Sequence, residues 1–329
     1  MTLPRRRAVP LIVTVVLVVL ALAPLLGASV YTTVVLTTML GYALLAMSMN
    51  LVSGNSGLLT LCHTAYAGVG AYGSLLAARG LTHNGLVQLV IAVAAGAGVA
   101  MLTGWMAVRA SKIYFLMLSL AIGELLHILA VQWSSLTKGD NGLSAGAPLE
   151  LVPGTPLLFA GVVYWVALAV FLVFAGGVLL VVRSPYGAAL RGIRDNEARM
   201  RGLGYPTPLY KYTVWILSGG VAGAAGWIVT AQLPRFIAPS QMSFHIAGLM
   251  LLAVVIGGLG SMWGSCVAAA VIVLMTNVVS QDLGGRGPLI LGLVFVIAVY
   301  LLPRGLAGIR PRRAGRAETR SPDEEMVTV

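Results

Sequence analysis

"LIVTVVLVVLALAPLL", residues 11–26, is apolar on every face. A strand of a membrane barrel would alternate polar and apolar positions over about ten residues, and a surface helix would keep one polar stripe. Neither pattern is present, so this run reads as a helix surrounded by hydrocarbon. Runs near the ~20 residues needed to cross a bilayer core recur along the chain. They fall at 8–26, 30–52, 58–78, 86–108, 113–133, 157–182, 212–233, 246–259, 265–280 and 288–302. Composition agrees: of 329 residues 58% are hydrophobic and only 9% charged, against roughly 25% charged in soluble proteins. The expected fold is an all-α polytopic membrane protein with about ten transmembrane helices.

The formal charge of +11 does not point to nucleic acid, because the basic residues are scattered between apolar spans with no soluble domain to carry them. They report topology instead. With the N-terminus in the cytoplasm, seventeen Lys and Arg fall on the inner side and four (Arg79, Lys138, Arg235 and Arg286) on the outer. The positive-inside rule then places both termini in the cytoplasm. Arg5 to Arg7 followed by an apolar run also resembles a signal peptide, but the run is long for one and the orientation fits an uncleaved helix. The chain divides into a transmembrane domain, 1–309, and a polar tail, 310–329, expected to be disordered.

Residues 246–259 number about 14, which as a helix reach roughly 21 Å against a core of about 30 Å. The glycine-rich joint "GGLGSMWG" (257–264) follows. This pair either re-enters the membrane as two half-helices, leaving eight full spans, or packs as a close helix pair. Gly257, Gly258 and Gly260 are candidates to line a path.

One stretch departs from the rest: "VRSPYGAALRGIRDNEARMRGLGY", residues 182–205, carries five arginines and two acids. Ser184-Pro185 is a helix start, with a capping hydroxyl and a proline at the first position. Gly202, Gly204, Pro206 and Pro208 stop the helix. A single short helix is expected inside the longest cytoplasmic loop, 183–211. Physics alone leaves two roles open: a connector whose arginines set topology or meet lipid head groups, and a docking element for a partner.

Within the spans, Glu124 is the sole acid, with His127 one turn later. An ionisable group there faces the bundle interior or water, so Glu124 either lines a path or holds helices together. His63, with Asn50, Asn55, Gly68, Gly70, Gly73 and Tyr72, is expected to form a polar strip at a helix interface. Cys62 and Cys266 lie in apolar stretches with no metal-ligand spacing and read as packing residues. The loop 134–156 is rich in turn formers and follows Trp133 at the membrane interface. It is either a plain connector or a contact for a partner. No metal or cofactor site is expected. None of the three lysines (Lys112, Lys138, Lys211) follows the glycine-rich loop of an ATPase.

"SPYGAALRGIRDNEARMRGLG" resembles the cytoplasmic coupling loop of the LivM-type permease subunits of ABC importers for branched-chain amino acids. Further stretches resemble the same family in the same order: "NLVSGNSGLLTLCHTAYAGVGAY" (50–72), "LSLAIGELLHILAVQWSSLTKGDNGLS" (118–144), "VVIGGLGSMWGSCVAA" (254–269) and "GPLILGLVFVIAVYLLPRGLAGI" (287–309). The resemblance implies an ABC importer permease fold in a bacterial-type cytoplasmic membrane. It implies as partners two cytoplasmic ATP-binding subunits, a second permease of the LivH type and an extracytoplasmic binding protein. The cargo would be branched-chain or other small neutral amino acids; urea or short amides, or a standalone secondary transporter, are the alternatives. On this resemblance Tyr186, Gly187, Arg191, Arg194, Asp195, Glu197 and Gly204 meet the ATPase, while Leu190, Ile193 and Leu203 give an apolar face. The sequence departs from the family at Thr60, Cys62, His127 and Arg199, and at Lys138, where a glycine is usual.

Overall fold

A computed structural model describes residues 29–110, 112–150, 159–232, 234–279 and 292. The first expected span, all of the last except residue 292, and the tail lie outside these residues. The described chain is helical, and five of its helices are long and apolar enough to cross a membrane. These are α1 (Val30–Ser56), α3 (Gly85–Ala107), α4 (Lys112–Gln132), α5 (Ala160–Arg183) and α8 (Thr207–Ala231), with the 18-residue α2 (His63–Gly80) between the first two. Two short helices, α6 (Pro185–Asp195) and α7 (Glu197–Gly202), occupy the charged loop, and the apolar pair α9 (Phe244–Gly257) and α10 (Met262–Leu274) follows α8.

Helix α8 is the centre. It packs on α3, α1 and α2, and the sequence explains why: Gly219 and Gly223 present bare backbone to α3 and Gly226 to α2, while Gly41 of α1 lies against Ala225 and Val229. A Cβ on Gly223 would strike the carbonyl of Ala92, and one on Gly226 the carbonyl of Ala67. Small residues at such crossings let helices approach closely, which is how apolar helices gain packing energy where no water is excluded. Above and below this contact Trp215 and Trp227 are fully buried. Trp215 meets the edges of Phe115, Tyr66 and His63 at centroid distances of 5.1 to 5.8 Å.

The expected span 58–78 begins later, at His63. Residues 57–62 are irregular and lie inside the bundle. Leu58, Thr60, Leu61 and Cys62 are buried, and Gly123 of α4 packs on the Cys62 backbone. Irregular backbone at such depth persists only where protein satisfies it. Here the Leu61 N–H donates to Ser119 Oγ, 3.2 Å, two turns into α4.

The two faces of the bundle differ. On one sit α6, α7 and the turn 258–261. The other carries a two-stranded antiparallel ribbon, β1 (Leu143–Ser144) against β2 (Phe236–Ile237). Helix α9 is 14 residues long because residues 238–243 already descend into the bundle, where Met242 packs on Gly68. It runs from that buried segment to the turn at the α6 face. After Leu274 α10 continues as one π-turn, Met275–Val279.

Candidate functional site

The loop 183–211 forms two helices, where a single one was expected. Ser184 Oγ accepts from the Gly187 N–H and Pro185 opens α6. The break is at Asn196, whose backbone is extended (φ −156°) and whose side chain caps α7 by accepting from the Arg199 N–H at 2.9 Å. Asparagine prefers such a cap because its oxygen replaces a missing intrahelical partner. Gly204, with φ +86°, ends the pair.

Most residues expected to meet a partner are turned inward. Leu190 and Ile193, expected to offer an apolar face, are buried in the chain's own core at 0% and 3% exposure. Gly187 lies under the carbonyls of Val181 and Val182. The Tyr186 hydroxyl donates to the Tyr210 carbonyl (3.0 Å) and its ring stacks on Tyr210. Arg191 Nη1 donates to the Val182 carbonyl at 2.7 Å. The amphipathic period of α6 thus serves packing onto α1, α5 and α8. The exposed residues of the segment include Arg194, Asp195, Asn196, Ala198, Arg199, Arg201, Leu203, Gly204, Tyr205 and Leu209.

Glu197 is the electrostatic hub. Its carboxylate accepts from Lys211 Nζ and from Arg201 Nη2, both at 2.6 Å, and from Thr207 Oγ1 at 3.2 Å. Burial works against its charge, yet the hydrogen bonds from Lys211 and Arg201 hold its carboxyl below the ordinary value of 4.5. This carboxylate fastens α7 to the first turn of α8.

Behind the loop lies a second constellation. Asn50 of α1 is fully buried. Its amide donates to the Ser261 carbonyl (2.9 Å), to Ser265 Oγ (3.1 Å) and to the Gly258 carbonyl (3.5 Å). Its oxygen accepts from the Gly260 N–H at 2.9 Å. The path candidates Asn50, Gly258 and Gly260 therefore come together, as a clamp on the turn that joins α9 to α10. Gly257 belongs to the same joint: its backbone touches Gly264, and a Cβ on either would overlap the other chain segment.

The remaining candidates do not share one strip. His63 bridges Thr60 Oγ1 (3.2 Å) and Ser218 Oγ (3.0 Å). Asn55 bonds the Leu51 carbonyl of its own helix. Gly70 meets Gly223 and Gly73 meets Ala95. Gly68 lines a cleft of about 20 Å³, room for about one water, together with Tyr42, Thr64 and Gln241. Thr64 Oγ1 in that cleft has no protein partner, and neither has the buried Tyr72 hydroxyl elsewhere. Glu124 is half-exposed and accepts from or pairs with His127 Nδ1 at 3.1 Å, one turn along the same helix.

One functional-looking residue escaped the sequence reading. Arg235, counted only as an outer charge, is 2% exposed. It donates to Gln88 Oε1 and to the carbonyls of Thr230 (3.4 Å) and Ala147 (3.5 Å). Burial pushes its guanidinium down to about 10, so it stays charged at neutral pH. A lone arginine after a long apolar helix gives no sign of this; Gln88, a polar residue early in α3, was the available hint.

Helices that cross, buried irregular segments at bundle depth and a charged two-helix loop on one face define a multi-pass membrane protein of the transporter kind. Among the described residues no three His, Cys, Asp or Glu side chains gather to hold a metal ion. The family model "Branched-chain amino acid transport system / permease component" matches residues 31–302, and the chain belongs to that family. It is 29% identical over 290 residues to the LivM permease protein of the high-affinity branched-chain amino acid transport system of Salmonella typhimurium, covering 80% of this chain and 67% of the relative. Its identity to the LivM permease protein of Escherichia coli K12 is 28% over 317 residues, covering 89% and 73%. A probable LivH permease protein of Methanocaldococcus jannaschii is 27% identical over 159 residues, 46% of this chain and 50% of that one. No solved structure matches.

Proposed function

We propose that this chain is the membrane-spanning subunit of an ATP-driven importer that carries branched-chain or other small neutral amino acids into the cell. The observation that supports this most is the family match across 31–302, which takes in the bundle and the charged loop together. On this reading the chain lies in a bacterial-type cytoplasmic membrane with ten spans and both termini inside, so α6 and α7 are cytoplasmic. It pairs with a LivH-type permease, receives cargo from an extracytoplasmic binding protein on the β1–β2 face, and rests on two ATP-binding subunits.

The outward part of the loop has the chemistry of a docking site. Leu203 (67% exposed) and Leu209 (56%) are apolar anchors beside the charged Asp195 and Arg199, the mixture found at small protein interfaces whose energy is concentrated in a few residues. Arg199→Glu combined with Leu203→Ala should abolish copurification with ATP-binding subunits and uptake of radiolabelled leucine, at unchanged membrane abundance. Uptake that persists without any ATP-binding subunit would sink the proposal.

A further inference from the structure

We propose that Arg194 is a positioning residue that links α6, through the end of α1, to the 258–261 turn, so that movement of the loop is carried to the α9–α10 pair. The inference rests on the reading of the chain as an ATP-driven permease, and adds to it a specific internal route.

The route consists of contacts between three segments far apart in sequence. Arg194 Nη1 donates to the Gly54 carbonyl at 2.6 Å. That carbonyl belongs to the last turn of α1, where the helix leaves its acceptors unpaired and carries partial negative charge, so a guanidinium satisfies both needs. The arginine stem lies on Gly57, where a Cβ would come within 2.7 Å of Arg194 Cγ. On its other side Gly54 touches the turn itself: a Cβ there would overlap the Gly260 N–H and Asn50 Oδ1. Asn50 then holds the turn through the Gly258 and Ser261 carbonyls, the Gly260 N–H and Ser265 Oγ. Gly257 and Gly264 are in backbone contact, so α9 and α10 move as one body.

Two features make this a linkage rather than general packing. Arg194 is the sole residue of α6 whose side chain is hydrogen-bonded to α1 among the described residues, while Leu190 and Ile193 make only apolar contacts. The element it reaches is the short broken helix pair, the part of the bundle with irregular backbone at both ends of α9 and hence the part able to shift without unfolding a full span.

The test uses the complex purified with its ATP-binding subunits and a spin label at Leu259→Cys, in the turn and 50% exposed. The native Cys62 and Cys266 are buried and do not compete for label. In the wild type, trapping with ATP and vanadate should change the label's mobility. Arg194→Ala should remove that change while the ATP-binding subunits still copurify, with leucine uptake lower by about tenfold or more; Arg194→Lys, keeping the charge and one donor, should restore part of it. Adding Asn50→Ala to Arg194→Ala should cost no more uptake than the worse single change, as expected for two parts of one route. Mobility is read per labelled complex, so reduced abundance does not blur the result. An Arg194→Ala complex that keeps the ATP-dependent change overturns the linkage, and loss of copurification overturns it too by making Arg194 a docking contact. A wild-type complex that hydrolyses no ATP sinks the transporter reading itself and takes the linkage with it.

Discussion

The α6–α7 face and the β1–β2 face solve the same problem, anchoring polar loops on an apolar bundle, in different ways. On the first, charge is shared: Glu197 pairs with Lys211 and Arg201 while half-exposed, and Arg194 reaches one backbone carbonyl. On the second, one buried arginine ties α3, the end of α8 and the segment after β1 together. The Glu197–Arg201 pair is partly solvated and breaks and re-forms at modest cost, whereas a buried cation, Lys211 on the first face as much as Arg235 on the second, is held only if its acceptors stay in place. The first face is therefore fastened by a half-exposed carboxylate with one solvated and one buried partner, the second by a fully enclosed cation.

The largest test of that contrast is Arg235→Ala. It strands the buried Gln88 Oε1 and leaves a void where the arginine stem was, which together should cost at least about 2 kcal/mol. Membrane abundance and the thermal midpoint in detergent should fall. Arg235→Met fills the void without restoring the donors and should recover part of the loss. If Arg235→Ala is as stable as the parent chain, the β1–β2 face is not clamped in the way described.

Glu197→Gln should cost less, on the order of 1 kcal/mol of local stability, because the amide keeps one acceptor oxygen for the Lys211 and Arg201 cations but loses the opposite charge and the second acceptor. The bundle should remain folded, since α7 is exposed on its other side. Spin-label mobility at Ala198→Cys, on the outward side of α7, is the readout. Raised mobility with an unchanged thermal midpoint supports a local latch; a lower midpoint with it would place Glu197 among the groups that hold the whole fold.

Acid should act on the same latch. The Glu197 carboxyl is depressed in the folded chain, so its contribution is fully present above the ordinary value of 4.5 and is lost as pH falls through the lower folded value. Between pH 7 and 5 the label at Ala198→Cys should not change, and it should loosen only below about 4.5. Loosening already at pH 6 would assign the transition to another group.

These sites differ in how far the sequence reveals them. Spans α1, α3, α4, α5 and α8 follow from local apolar length, and the start of α6 follows from Ser184-Pro185, because both signals are written in neighbouring residues. The break at Asn196 was legible in principle, since asparagine followed by Glu197 is a capping pattern, but the surrounding helix-favouring residues hid it. The clamp of Asn50 on Gly260 joins residues 210 apart, and no local pattern encodes that. The inward direction of Leu190 and Ile193 was hidden for a related reason: an amphipathic helix shows that it has an apolar face, not which body covers it.

The smallest expected effect is at Lys138, on the β1–β2 face. It is the one non-glycine residue with positive φ (66°) among the described residues, at the end of the turn Ser134–Thr137. A left-handed backbone costs an L-residue roughly 1–2 kcal/mol because Cβ crowds the following carbonyl. Glycine removes that strain but gives the unfolded chain more freedom, which takes back about 0.5–1 kcal/mol. Lys138→Gly should thus be neutral to slightly stabilising, raising the thermal midpoint by about 1–2 °C at most. The same change should leave the Ala198→Cys and Leu259→Cys labels unaltered, because the turn lies on the opposite face of the bundle from both. A drop in stability would mean that the lysine side chain, rather than the backbone shape, is what this turn needs, and the β1–β2 face would then depend on charge as the other face does.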